Sequence, residues 1–317
     1  MNKFVICTTP ETLDEEYAFG MALLDNGYDL LFVSDFKDLD IARWSNGEFF
    51  LYHGSLEFAQ YVNQFSNAIK VFTPEKYAYS YWAKKVILYN HYINSSKSEF
   101  RLDKDLGILA NVKIPMLNNI FESPLTGGLL ELSGDQQKDK ESLEIMVKWF
   151  ADESGRVFIR PNSGMKEFSG MVFINKEPYW SNDLESTKAF KCDALVIAEP
   201  KDIEQEWRFM VCEGIVSGCQ YKDNHRLSFI IPRNSGDVFK NSAILDNSKE
   251  VRMLAHNVFI TLYDYMDKAY TIDICKTKTG EYYLLEINSF VSAGLYNMNY
   301  DAIAKSLKLL YKENTNG

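Results

Sequence analysis

The sequence predicts an α/β fold, and three observations carry that prediction. Short apolar runs of strand length alternate with helical stretches over the first hundred residues, the order of a mostly parallel sheet with crossover helices. Further along, segments of alternating polarity flank Glu213-Gly214 and Lys276–Gly280, the order of antiparallel hairpins. The 317-residue chain is 46% apolar and 14% aromatic, with 21 Phe, 19 Tyr and 5 Trp, enough for a large core over about two domains.

Each element follows in chain order. Residues 3–7 (Lys-Phe-Val-Ile-Cys) and 28–33 (Tyr-Asp-Leu-Leu-Phe-Val) read as buried strands. Residues 14–26 between them read as a helix that stops at Asn26-Gly27. Residues 49–52 form another apolar run, then His53-Gly54-Ser55 turns into a helix. These elements define a first domain over 1–100. From 101 the pattern changes. Residues 122–142 contain Gly127-Gly128, Gly134 and the polar run Asp135 to Ser142, read as an exposed loop leading to a helix at 142–151. Strand-like segments follow at 156–160, 168–174 and 193–198, then a hairpin over 206–221. Residues 248–266 carry apolar side chains at helical period, with Asn247 or Ser248 placed to cap them. A second hairpin spans 269–288 and a last helix 300–312. No internal repeat is found. The chain thus divides at 1–100, 101–205 and 206–317.

Charge and composition exclude several classes. With 34 basic and 44 acidic residues the net charge is −10, which disfavours a sequence-blind nucleic-acid binder. No run approaches the ~18 apolar residues of a membrane span, and the first residues lack the long apolar region of a signal peptide. The five cysteines (Cys7, Cys192, Cys212, Cys219, Cys275) are odd in number and contain no CxxC, so reduced, buried thiols in a cytoplasmic protein are expected. The four histidines show no zinc-binding spacing.

The strongest chemical signal lies in the second hairpin. Strand side chains alternate, so Glu286 and Asn288 share a face while Leu285 and Ile287 point the other way. Asp273 sits on the partner strand. Closing the hairpin in register brings two carboxylates and an amide together, a donor set suited to a hard divalent cation such as Mg²⁺. A second element is Arg160-Pro-Asn-Ser163-Gly164-Met-Lys166-Glu-Phe168-Ser-Gly170: a strand that ends in a cation, then a small-residue loop whose amides, with Arg160, Ser163 and Lys166, suit phosphate oxygens. A third element runs from Glu199-Pro200 through Ile203 to Glu206-Trp-Arg208, a strand, a short linker and a second strand that carries Glu206 and Arg208 on one face. Each of the last two also reads as an ordinary turn or charged edge. Ser163-x-x-Lys166 and Lys278-Thr-Gly280 mimic motifs of penicillin-recognising enzymes, but the third motif of that set is absent and the positions fall in a loop and a turn. His53-Gly54-Ser55 reads as a plain turn at a strand end, His225 as a surface residue, and Tyr77–Trp82 as core packing.

Together the three elements resemble the ATP-grasp superfamily, whose carboxylate–amine ligases include the D-alanine–D-alanine ligases. The seven-residue interval from Glu199 to Glu206 is similar to the family's hinge Glu and ribose-binding Glu, and Asp273, Glu286 and Asn288 follow the order of its metal ligands. Glu206-x-Arg208 is similar to the acidic-x-Arg strand of tubulin–tyrosine ligases. Arg160 stands where the family usually has Lys. Lys166-Glu-Phe168-Ser-Gly170 and Gly294-Leu-Tyr296 resemble a phage and bacterial clade named for an Arg-to-Lys exchange. The resemblance covers about 100–317. It implies a pre-grasp α/β domain over 1–100, then a two-lobed grasp domain with nucleotide between a small lobe at 101–205 and a large lobe at 206–317.

The resemblance also implies a function. ATP is held by Arg160, Ser163, Lys166, Glu199, Pro200, Ile203 and Glu206, with Mg²⁺ or Mn²⁺ on Asp273, Glu286 and Asn288. A small-molecule or peptide carboxylate is activated as an acyl phosphate with release of ADP, and an amine acceptor displaces phosphate. The loop over 162–170 closes as a lid, and 122–142 and 222–245 tune substrate choice. Thr271 occupies the position of the D-alanine ligases' oxyanion Arg, so Arg208 or Arg226, with Lys166, is the candidate catalytic cation. A homodimer is common in the family; nucleic acid and membrane partners are not expected. Two alternatives stay open: a catalytically silent ATP-binding switch and a kinase on the same fold.

Overall fold

The computed structural model describes residues 2–8, 13–34, 40–83, 85–86, 127–174, 189–220, 245–296 and 298–315. The chain groups into two compact units: Met1–Tyr77, Gln205–Ile274 and Glu286–Gly317 form one, Ala78–Glu204 and Cys275–Leu285 the other.

The first unit opens with three parallel strands, β1 (Lys3–Cys7), β2 (Asp29–Val33) and β3 (Phe50–His53), in the order β2-β1-β3. Lys3 pairs with Asp29 on one side and Phe50 on the other. Phe4, Val5 and Ile6 of β1 are wholly buried, as a central parallel strand covered on both faces requires. Helix α1 (Leu13–Asp25) carries Asp14, Glu15 and Glu16 in its first turn, where the helix dipole favours acids, and ends at Gly27 with φ 77°. Helix α2 (Ile41–Ser45) is short. In α3 (Leu56–Val62) the Ser55 hydroxyl oxygen caps the helix by accepting from Phe58 N at 3.1 Å. Gly54 leaves room for the chain: a Cβ there would lie 2.9 Å from the Cys7 carbonyl oxygen.

A second sheet has the order β11-β10-β8-β9, from β8 (Ile203–Cys212), β9 (Ile215–Gln220), β10 (Ala269–Thr277) and β11 (Tyr282–Ser289). The unit boundaries fall inside β8, β10 and β11. Both hairpins turn where the sequence places them, at Glu213-Gly214 and across Lys278–Gly280. Helix α4 (Gln136–Phe150) belongs to the other unit; α5 (Leu245–Leu262) and α6 (Tyr300–Thr315) belong to the first. Tyr28 donates its hydroxyl to the Ala304 carbonyl at 2.8 Å, tying the first sheet to α6.

The second unit holds four strands in the order β4-β7-β5-β6, all antiparallel: β4 (Gly127–Glu131), β5 (Arg156–Pro161), β6 (Met171–Ile174) and β7 (Ala194–Ala198). Leu143 and Val147 of α4 pack on Val157, Ile159, Leu195 and Ile197. Those strand residues are at odd positions, so Arg156, Phe158 and Arg160 turn to the opposite face.

Three expected boundaries are corrected. The polar run Asp135 to Ser142 is not loop: α4 starts at Gln136, because the Asp135 carboxylate accepts from Gln137 N and Lys138 N and caps it. Helix α5 begins at Leu245, which puts Asn247 and Ser248 inside it; the apolar period from Val251 marks a buried stripe, and a first turn need not carry it. The strand expected at 168–174 begins at Met171, since Ser169 and Gly170 are still loop. The five cysteines are free and buried. Tyr77 and Trp82 are buried core side chains, as expected. Among the described residues no helix is long and apolar enough to cross a membrane. Residues 122–126 and 222–244, with His225 and Arg226, lie outside the described residues.

Candidate active site

The first unit's second sheet converges on Asp273. The Asp273 carboxylate is 1% exposed, on β10, and faces Arg208 on β8. Arg208 Nε donates to Asp273 Oδ1 and Nη2 to Oδ2, both at 2.7 Å, a side-on fork. Its Nη1 donates to the Gly294 carbonyl at 3.2 Å, and its guanidinium lies 4.9 Å from the centre of the Tyr296 ring. Burial of this kind needs such a partner set, because an isolated charge in the interior costs several kcal/mol.

Glu286 and Asn288, from β11, complete the cluster. Asn288 Nδ2 donates to Asp273 Oδ2 at 3.0 Å and to Glu286 Oε1 at 2.7 Å. One nitrogen thus touches an oxygen from each carboxylate, so a single point lies within reach of both. Glu286 is the open side, 24% exposed and 4.0 Å from Arg208 Nη2. Among the described residues no group of three or more His, Cys, Asp or Glu forms a metal cage. The third donor here is an amide. Two carboxylates and an amide fit a hard cation of low protein-ligand count, with the Asn288 side chain turned to present its oxygen.

Glu206 shares this environment. Burial pushes its carboxyl up to about 8, helped by Asp273 and Glu286 and opposed by Arg208. Near neutral pH it is therefore mostly protonated, which limits repulsion among the acids. Thr271, two residues before Asp273 on the same face, is wholly buried, and its hydroxyl has no hydrogen-bond partner among the described residues.

The loop after Asn288 is gripped by the first parallel sheet. Gly54 N donates to the Val291 carbonyl at 2.6 Å, His53 Nε2 lies 3.2 Å from the Ala293 oxygen, and Leu295 N donates to Glu15. His53 Nδ1 meets Glu16 at 3.3 Å. The turn at His53-Gly54-Ser55 is thus packed rather than open.

In the second unit, Arg160 is buried at the end of β5, 7% exposed. Asn162 pins the loop that follows: its Oδ1 accepts from Ser80 N at 2.9 Å and its Nδ2 donates to Ser80 Oγ at 3.0 Å. Ser163 Oγ accepts from Met165 N at 3.0 Å, and Lys166 sits in the left-handed region at φ 49°. Gly170 is a close-approach glycine, since a Cβ there would meet the Phe158 ring at 2.5 Å. Ser163 lies in this loop, not at a helix start, and Lys278–Gly280 is a hairpin turn, so the penicillin-enzyme mimicry has no structural basis. A cavity of about 580 Å³ is lined by Arg156, Glu199, Pro200, Lys201 and Tyr283, and not by Arg160, Ser163 or Lys166. Lys201 stands 5.1 Å above the Tyr283 ring. The site residues read from sequence therefore divide: Asp273, Glu286, Asn288, Glu206 and Arg208 come together in the first unit, while Arg160, Ser163, Lys166, Glu199, Pro200 and Ile203 lie in the second.

A profile of the ATP-grasp domain, family 2 of the clade named for its Arg-to-Lys exchange, matches residues 140–306, more than half of the chain. The chain belongs to that ATP-grasp family. Its fold is the ATP-grasp fold. A D-cycloserine synthetase, DcsG, superposes with a TM-score of 0.56 at 10% identity over 98% of this chain and 100% of its own. The VanG D-Ala:D-Ser ligase of Enterococcus faecalis gives 0.55 at 14% identity over 98% and 99%. The D-alanine–D-alanine ligase of Bacillus anthracis, complexed with ATP, gives 0.51 at 13% identity over 99% of each chain. No curated protein matches the sequence. Within this ATP-grasp chain, sequence reasoning missed three features: the Arg208–Asp273 fork, the grip of Glu15 and His53 on the loop after Asn288, and the packing of Tyr296 on Arg208. The Glu-x-Arg spacing flagged Arg208, but no local pattern names its partner.

Proposed function

We propose that this protein is an ATP-dependent carboxylate–amine ligase that forms an amide bond through an acyl phosphate. The observation that carries the reading is the meeting of Asp273, Glu286 and Asn288 around one point in a chain of ATP-grasp family. The second unit's Arg160, Ser163 and Lys166 supply charge and donors for ATP phosphates, and Glu199, Pro200 and Ile203, with Glu206 from the first unit, are the proposed contacts for adenosine. A divalent cation, Mg²⁺ or Mn²⁺, held by the trio would neutralise phosphate charge.

The chain's own groups have distinct tasks. Arg208 fixes both oxygens of Asp273 and so sets the direction of its free lone pairs. It is the cation paired at this site, in place of the arginine that the D-alanine ligases carry where this chain has Thr271. A substrate carboxylate oxygen attacks the γ-phosphorus, the bond to the β-phosphate oxygen breaks, and ADP leaves. An amine then attacks the acyl carbon, phosphate leaves, and the amine gives up one proton. None of these steps needs a serine or cysteine nucleophile; positioning and charge stabilisation supply the rate. The substrates are a small-molecule or peptide carboxylate and an amine. We place the protein in the cytoplasm and leave a homodimer as the expected assembly.

The test is product analysis with ATP, Mg²⁺ and pooled amino acids, resolving ADP from AMP. ADP release that depends on the acceptor supports the reading. AMP overturns the acyl phosphate. ADP with a phosphorylated product and no amide marks a kinase. Saturable ATP binding without turnover marks a silent switch, the reading that the oxyanion-arginine position at Thr271 favours.

A further inference from the structure

Tyr296 is the one described bulky side chain held against Arg208 by a left-handed backbone. Its φ is 42°, a region that aromatic residues rarely enter, at a cost of order 1–3 kcal/mol. The conformation folds its ring back over Gly294. A Cβ on Gly294 would lie 2.4 Å from two ring carbons and 2.7 Å from the hydroxyl, so the glycine is what lets the ring sit there. The same Gly294 gives its carbonyl to Arg208 Nη1, and the ring faces the Arg208 guanidinium at 4.9 Å. Backbone strain, a missing side chain and a cation–π contact thus act on one guanidinium whose other edge grips Asp273.

We propose that Tyr296 is a positioning residue: its ring, admitted by Gly294, holds the Arg208 guanidinium plane in the orientation that forks Asp273. A guanidinium free to swing would meet Asp273 through one nitrogen and leave the carboxylate free to rotate. The ring removes that freedom, and the strained backbone is the cost of placing it. The glycine and the aromatic residue therefore function as a pair, with Gly294 leaving the space that the ring fills.

The proposal rests on the ligase reading only in its kinetic part, so the test has two readouts. The first is the Arg208 Nε–H resonance of ¹⁵N-labelled protein, assigned by its loss in Arg208→Lys; it needs no substrate. Wild type gives a downfield, slowly exchanging Nε–H from the bond to Asp273. Tyr296→Leu shifts it upfield and exchanges at least about tenfold faster, the scale of one lost cation–π contact. Tyr296→Phe, which keeps the ring, stays within about threefold of wild type. Gly294→Ala asks only the tip of the ring to move, so it folds, displaces the ring and matches Tyr296→Leu; the double variant loses no more than Tyr296→Leu alone. The second readout is ADP release: kcat falls about tenfold in Tyr296→Leu and Gly294→Ala with KM for ATP unchanged. An unchanged Nε–H signal in both variants overturns the proposal. So does a Phe variant as impaired as the Leu variant, because the hydroxyl rather than the ring would then hold Arg208. Absence of turnover in wild type with an altered Nε–H signal in the variants sinks the ligase reading and leaves the positioning role standing.

Discussion

Two buried ion pairs, Arg208–Asp273 and His53–Glu16, hold the same loop, and they do so by different chemistry. Arg208 gives one donor to the Gly294 carbonyl and two to Asp273. His53 faces the neighbouring Ala293 carbonyl with one ring nitrogen and Glu16 with the other. Arginine is charged at any pH the fold survives, whereas histidine is charged only if protonated. The arginine pair borders an open carboxylate, Glu286, and an amide that bridges two acids. The histidine pair is closed, with side chains 5% and 7% exposed and aromatic rings of Phe19 and Phe290 around it. The first is built to hold a further ligand; the second is built to hold the loop. Burial alone does not separate a working charge from a structural one. What separates them is whether an unpaired oxygen remains at the edge.

The largest expected effect breaks the arginine pair. Arg208→Met leaves the Asp273 carboxylate buried without its fork, and about 3–5 kcal/mol of stability is lost, measured by urea unfolding. The double variant Arg208→Met/Asp273→Leu recovers most of it, since an apolar pair of similar volume replaces a charged one. If the single variant unfolds at the wild-type urea concentration, the pair is not the buried anchor described above.

Glu286→Gln comes next and separates chemistry from folding. Its side chain is partly exposed, so stability changes by less than about 1 kcal/mol, while ADP release falls at least about 100-fold with loss of one anionic donor. Undiminished turnover removes Glu286 from the metal site. Glu206 adds a pH signature. Its carboxyl is raised from 4.5 to about 8, so the fold holds a proton that the unfolded chain releases. The resulting stability is fully present below 4.5, is lost as pH rises through about 8, and changes no further above it. Glu206→Gln removes the larger part of that fall from the pH profile of urea unfolding.

The arginine site shows what a sequence discloses. Period-two alternation alone placed Glu286 and Asn288 on one face, and the hairpin turn at Lys278–Gly280 supplied the register that brings Asp273 to them. Strands 3–7 and 28–33 were legible because a central parallel strand is apolar throughout. The fork from Arg208 was not, because it joins β8 to β10 across a sheet order, β11-β10-β8-β9, that no local pattern encodes. The fold-back of Tyr296 on Gly294 was visible only as a short motif, since a positive φ on an aromatic residue has no spelling in sequence. The start of α4 was misplaced because polar residues after a cap look like loop until the cap's acceptor is seen to bind Gln137 N and Lys138 N.

The smallest effect belongs to the closed pair and tests its sign. Burial lowers the His53 pKa, but Glu16, Glu15 and the Ala293 carbonyl outweigh it, and the net shift is upward from 6.5. Geometry gives the same answer. Both partners of the ring, a carboxylate and a carbonyl, are acceptors, so only the imidazolium satisfies both nitrogens. A raised folded pKa contributes stability that is fully present below 6.5 and lost as pH rises through the folded value. Glu206 loses stability over an overlapping range, so the measurement belongs in the Glu206→Gln background. There the urea midpoint should still fall as pH rises above 6.5, on the order of 1 kcal/mol in total. Adding Glu16→Gln should abolish that slope while leaving the Arg208 Nε–H resonance in place, because the two pairs share the loop but not a charge. A slope that survives the added Glu16→Gln, or one that rises with pH, means that His53 is neutral in the fold and that Ala293 is held by a single N–H.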